Sequence, residues 1–80
     1  MLNKEKLFNL LSKTLKVPKK KISMNLKVGE IEEWDSLGHL EVLIKIDKET
    51  KGKATKIKNL SSADSVEKIF EILKKNKLLK

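Results

Sequence analysis

Apolar residues recur at helical spacing in three stretches of this 80-residue chain. In the first, Phe8, Leu11 and Leu15 keep the helical period and Leu7 and Leu10 widen the stripe. Asn3 is suited to cap its start, and Val17-Pro18 stops it, because the residue before a proline avoids the helical region. Residues 17–35 have no period. Ile22, Met24, Leu26 and Val28 are isolated apolar positions between the Lys19-Lys20-Lys21 run and Gly29. That pattern predicts a long loop pinned to the core by those side chains, and loops of this length are frequently functional. A second helix is predicted over Ser36–Thr50, ended by Lys51-Gly52-Lys53, and a short helical turn over Ile57-Lys58-Asn59-Leu60. In the last stretch Val66, Ile69, Phe70 and Leu73 repeat at i, i+3, i+4 and i+7. Asp64 followed by Glu67 fits a reciprocal capping pair, and Lys74, Lys75 and Lys77 suit the negative end of the helix dipole. No stretch alternates over strand length. The prediction is a single all-α domain over residues 1–80: three main helices, one short helix, and a long loop between the first and second.

The second helix is the unusual one. Its apolar residues Leu37, Leu40, Val42, Leu43, Ile44 and Ile46 cover roughly 220° of its circumference, against a little over 100° for an ordinary surface helix. One wall is Val42, Leu43 and Ile46; the other is Leu37, Leu40 and Ile44, edged by Glu41 and Lys48. A three-helix domain does not easily bury both. Either the helix is central, or one wall is left for a partner.

Charge adds a second asymmetry. The chain carries a net +8, and all 19 basic residues are Lys. Between residues 30 and 50 the sign reverses: Glu30, Glu32, Glu33, Asp35, Glu41, Asp47 and Glu49 face only Lys45 and Lys48, a local balance of −5 in a remainder of +13. Such an island either complements the start of a helix or guides a basic partner. Zero cysteines exclude disulfides and thiolate chemistry from the chain's own side chains, and one histidine excludes a multi-histidine metal site. No apolar run approaches 18 residues and the first residues have no long apolar core, so the expectation is a cytoplasmic monomer without a membrane span.

Candidate chemistry gathers in Trp34-Asp35-Ser36-Leu37-Gly38-His39-Leu40-Glu41. Read alone, Ser36 is an N-cap, whose replacement by Ala would cost about 1 kcal/mol. A phosphate ester on its hydroxyl would also lie beside the unsatisfied first amides and positive end of the helix. His39 is three residues on, but a hydrolytic pair needs a third group to orient the imidazole and an oxyanion site, and the sequence supplies neither. His39 is expected to pack inward, Trp34 to lie as a lid on the core edge, and Lys19 to Lys21 to be solvated loop.

Asp35-Ser36-Leu37 at a helix start, after an acidic stretch and a long loop, with one helix before and two after, resembles an acyl carrier protein over nearly the whole chain. The resemblance implies an acyl-carrier-like four-helix bundle, and a carrier with no enzymatic activity of its own. A phosphopantetheinyl transferase would move 4′-phosphopantetheine from coenzyme A onto Ser36, and the arm's thiol would carry acyl groups as thioesters between loading and transferring enzymes. It implies that Val42, Leu43 and Ile46 face the core, and that Leu37 and Ile44 face outward beside Glu41 and Asp47 as the docking surface. Asp35 would help engage the transferase. In such carriers the core between the helices shelters short acyl chains. The family's fatty-acid members are strongly acidic and often carry an acid where this chain has Gly38, so the basic composition points to a specialised lipid, polyketide or surface-glycan pathway. An aminoacyl or peptidyl carrier shares the same serine and arm and stays an alternative, as does an unmodified homologue that docks through Leu37 and Ile44. The rival from another class is a basic helical nucleic-acid-binding domain. Its Lys content fits; the lack of Arg, three aromatics and the acidic second helix argue against it, and no nucleic-acid partner is expected.

Overall fold

Three α-helices and no strand are present among residues 2–79, which a computed structural model describes: α1 (Lys4–Leu15), α2 (Ser36–Glu49) and α3 (Val66–Lys75). No helix among them is long and apolar enough to cross a membrane. Helix α1 starts where Asn3 Oδ1 accepts from the Lys6 amide at 2.8 Å, and it buries Leu7, Leu11 and Leu15. It ends at Lys16, held in the left-handed region with φ 59°. There Ser12 Oγ donates to the Val17 carbonyl at 2.6 Å, and the Val17 amide returns to the Ser12 carbonyl at 3.1 Å.

The long loop is pinned by side chains, as expected, with Ile22 and Leu26 buried and Met24 and Val28 half-buried, but Lys19–Lys21, expected as plain loop, forms a short exposed 3-10 turn after Pro18. Its backbone does more. The carbonyls of Leu26 and Met24 accept from the amides of Val66 and Glu67 at 3.0 and 3.1 Å, and the Val28 amide donates to the Asp64 carbonyl at 2.8 Å. A helix leaves its first amides without internal partners, and here the loop supplies two of them for α3.

Three expectations are corrected. The cap of α3 is Ser65, whose Oγ accepts from the Lys68 amide at 3.1 Å. Asp64 instead pairs with Lys68 Nζ at 3.0 Å, and that hydrogen bond, with the lysine's charge, holds the Asp64 carboxyl below its usual range. The short helix lies at Ala54–Lys56, three residues before the expected one, while Ile57–Leu60 forms a single hydrogen-bonded turn in which the Leu60 amide donates to the Ile57 carbonyl at 3.3 Å. Two side chains at the end of α2 fix the short helix in place: Thr50 Oγ1 accepts from the Ala54 amide at 3.1 Å, and Asp47 Oδ1 from the Thr55 amide at 3.0 Å. Trp34 is no edge lid. It is 0% exposed and among the largest fully buried side chains, with Leu7, Leu11, Val42, Ile46, Ile69 and Leu73. Burying a tryptophan removes roughly 150–250 Å² from water, on the order of 4–6 kcal/mol as an upper bound. Leu2 and Leu79, both buried, pair in a single parallel bridge that closes the far end of the core.

Candidate functional site

The turn before α2 decides what its first residues can do. Gly29 adopts φ +90°, a left-handed conformation glycine takes without steric cost, and its amide donates to the Trp34 carbonyl at 2.8 Å. Glu30 Oε1 accepts from the Lys27 amide at 2.7 Å, and the Trp34 amide donates to the Ile31 carbonyl at 3.2 Å. This closed turn leaves Glu30, Glu32 and Glu33 exposed while sending the Trp34 ring into the core. Trp34 Nε1–H then donates to His39 Nδ1 at 3.2 Å. With Nδ1 accepting, the imidazole proton belongs on Nε2, 3.3 Å from the Ser61 carbonyl. Both ring nitrogens are thus engaged away from Ser36. His39 is half-buried and ties the start of α2 to the segment before α3.

The cap of α2 is Asp35, not Ser36. Asp35 has an extended backbone, and its Oδ1 accepts from the Gly38 amide at 2.8 Å. Ser36 is the first helical residue and is exposed. Its hydroxyl is not spent on capping, so the stability cost expected for Ser36→Ala falls on Asp35 instead. The His39 amide donates to the Asp35 carbonyl at 2.8 Å, and helix geometry leaves the amides of Ser36 and Leu37 without an i−4 partner. Gly38 is buried in the same turn. A Cβ there would meet the Glu33 carbonyl oxygen at 2.5 Å and Leu15 Cδ2 at 3.2 Å, so glycine lets the turn, α1 and α2 approach closely.

Along α2 the two apolar walls separate. Gly38, Val42 and Ile46 face the core, and Leu43 is half-buried. Leu37, Leu40 and Ile44 are 66%, 54% and 55% exposed. Leu40 therefore belongs with Leu37 and Ile44 in the outward wall, although the docking set read from sequence left it out. Glu41 is exposed beside them. Asp47 is only half-buried and is already engaged by the Thr55 amide, so one of its oxygens does structural duty. The wall slopes into a groove of about 360 Å³, floored by Leu43, Ala54, Ile57 and Leu60 and edged by Leu40 and Ile44. Sequence periodicity gave no sign of this groove, since its far side is the irregular segment 54–61. Ser36, Leu40, Leu43 and Asp47 lie on one helical face at i, i+4, i+7 and i+11, which sets the serine at the head of that groove's side of α2.

Comparison with protein-family models, curated proteins and solved structures found no match.

Proposed function

We propose that this chain is an acyl carrier protein modified at Ser36, with the fold an acyl-carrier-like bundle whose short fourth element is the Ala54–Lys56 turn. The observation that carries this reading is an exposed serine at the first position of α2, freed from capping by Asp35 and bordered by the outward wall of Leu37, Leu40 and Ile44.

The residues present fit a phosphopantetheine ester. The Ser36 hydroxyl is accessible. The amides of Ser36 and Leu37 and the positive end of α2 favour a phosphodiester there by roughly 0.3–1 kcal/mol. Gly38 adds no side chain to the first turn. When bound, the arm supplies a terminal thiol that carries acyl groups as thioesters. The chain's own residues do the rest. Asp35 fixes the first turn so that Ser36 Oγ points to solvent for a transferase. Leu37, Leu40 and Ile44 offer the apolar contact for partner enzymes, and Glu41 and the acidic turn at Glu32 and Glu33 guide basic partner surfaces. The groove of about 360 Å³ on the serine's side of α2 has an apolar floor and a size within the range of small-ligand sites, which supports an acyl rather than a purely structural role.

The test is the intact mass of the protein after incubation with coenzyme A and a broad-specificity phosphopantetheinyl transferase. Addition of one phosphopantetheine, abolished by Ser36→Ala, is the expected result. An unmodified wild-type chain, or equal modification of Ser36→Ala, contradicts the reading.

A further inference from the structure

A second concavity, of about 550 Å³, runs between α1 and α2. Lys6 and Lys13 line it from α1, Lys45 and Lys48 from α2, and Glu49 is the one acid on its wall. All four lysines are exposed. Among the described residues the ion pair found is Asp64–Lys68, on another part of the surface, so the groove keeps an excess of positive charge, four lysines against one glutamate. We propose that this groove binds a small polyanion carrying a chain of phosphoryl groups.

Four lysines around one hollow give it a positive field, which the concave shape concentrates. An anion that binds there and not to the unfolded chain stabilises the fold by mass action. Lysine binds phosphate as a point charge, and Asn9 and Thr14, also on the wall, add an amide and a hydroxyl as donors. The dimensions select among anions. Lys6 and Lys13 are seven residues apart on α1, roughly 10 Å along the axis at 1.5 Å per residue. A chain of two or three phosphoryl groups spreads its charge along such a span, which a single orthophosphate does not. The volume falls in the range of small-molecule sites. Lys45 and Lys48 lie nine and twelve residues beyond Ser36, roughly 14–18 Å along α2. The groove is therefore a separate site, and its test does not depend on modification of the serine.

The experiment is a titration of the ¹⁵N-labelled full chain with inorganic tripolyphosphate at low salt, read by amide chemical shifts. The expected shifts are confined to residues 6–14 and 45–49, with an affinity at least tenfold above that for orthophosphate and falling as salt rises. Tripolyphosphate also raises Tm. The double variant Lys13→Glu, Lys45→Glu loses at least tenfold in affinity and the Tm response, whereas the charge-matched control Lys20→Glu, Lys75→Glu keeps both. Should the first variant fail to fold, Lys13→Gln, Lys45→Gln gives the same reading. Adenosine triphosphate in a parallel titration distinguishes sources: tighter binding assigns a nucleotide, equal binding a bare polyphosphate. Three results overturn the proposal. These are shifts spread equally over Lys19–Lys21 and Lys74–Lys77, equal affinity for orthophosphate, or shifts produced by anionic phosphatidylserine vesicles and not by tripolyphosphate.

Discussion

Replacing Gly38 by alanine tests the close approach on which the first turn of α2 is built. Two opposed effects decide the outcome. Alanine is a better helix former than glycine by up to about 1 kcal/mol in a helix interior. Against this, the new methyl would sit 2.5 Å from the Glu33 carbonyl oxygen, 3.2 Å from Leu15 Cδ2 and 3.4 Å from Asp35 Oδ1. The nearest of these is backbone, in a turn held by the Gly29–Trp34 and Trp34–Ile31 hydrogen bonds and anchored by a buried tryptophan. It cannot swing aside as a side-chain tip would. Overpacking of this kind costs about 1–3 kcal/mol, so the clash outweighs the propensity gain. The net expectation is a loss of about 1–2 kcal/mol, or roughly 4–15 °C in Tm for a domain of this size. Trp34, the chain's one tryptophan and fully buried, serves as fluorescence probe in urea unfolding, where the midpoint should fall with the slope unchanged. Because the displaced carbonyl precedes Asp35 and Ser36, modification of Ser36 should slow as well. A Gly38→Ala protein as stable as wild type would refute the reasoning, since the turn would then have room that the geometry denies it.

Other outcomes follow from the same frame. Asp35→Ala should lower stability by about 1 kcal/mol through loss of the cap, whereas Ser36→Ala at an exposed first-turn position should stay within about 0.5 kcal/mol of wild type; urea midpoints of the pair separate cap from modification site. Glu41→Lys should slow turnover by partner enzymes at low salt without changing Tm, whereas Asp47→Lys should also cost about 1 kcal/mol, because it breaks the bond to the Thr55 amide; thermal unfolding beside a loading assay reads both. Lys68→Met removes the donor and charge that depress the Asp64 carboxyl. Its NMR titration midpoint should rise, and with it is lost a contribution to stability that is present above the unfolded-state pKa of Asp64 and disappears as pH falls through the lowered folded value. An unmoved midpoint would mean that the pair is not formed in solution.

The helices were legible because their apolar spacing is strict. Leu7, Leu11 and Leu15, and Val66, Ile69 and Leu73, each define a single stripe that packing then buries. The apolar arc of α2 was ambiguous for a physical reason. Its two walls are equally apolar, and only tertiary packing of α1, Trp34 and α3 on one side leaves Leu37, Leu40 and Ile44 outside. Both misplaced caps lie one residue from the true ones, at Asp35-Ser36 and Asp64-Ser65, where adjacent residues are both good caps and backbone conformation chooses between them. The position of the short turn depends on Thr50 and Asp47 reaching four and eight residues ahead, which local propensity does not register. Trp34 gave no periodic signal, being a lone aromatic after an acidic run. The α1–α2 groove was invisible for the same reason as the groove beside α2: each is formed by residues distant in sequence.

Whether the hydroxyl at the head of α2 bears a covalent arm in life is read out by peptide mass spectrometry of the protein from its native host. Cleavage after lysine releases residues 28–45, in which Ser36 is the sole hydroxyl-bearing side chain, so any phosphodiester on that peptide maps without ambiguity. This peptide is expected to carry one phosphopantetheine. A peptide found bare under every growth condition, from a protein that also resists transferase and coenzyme A in vitro, would contradict it.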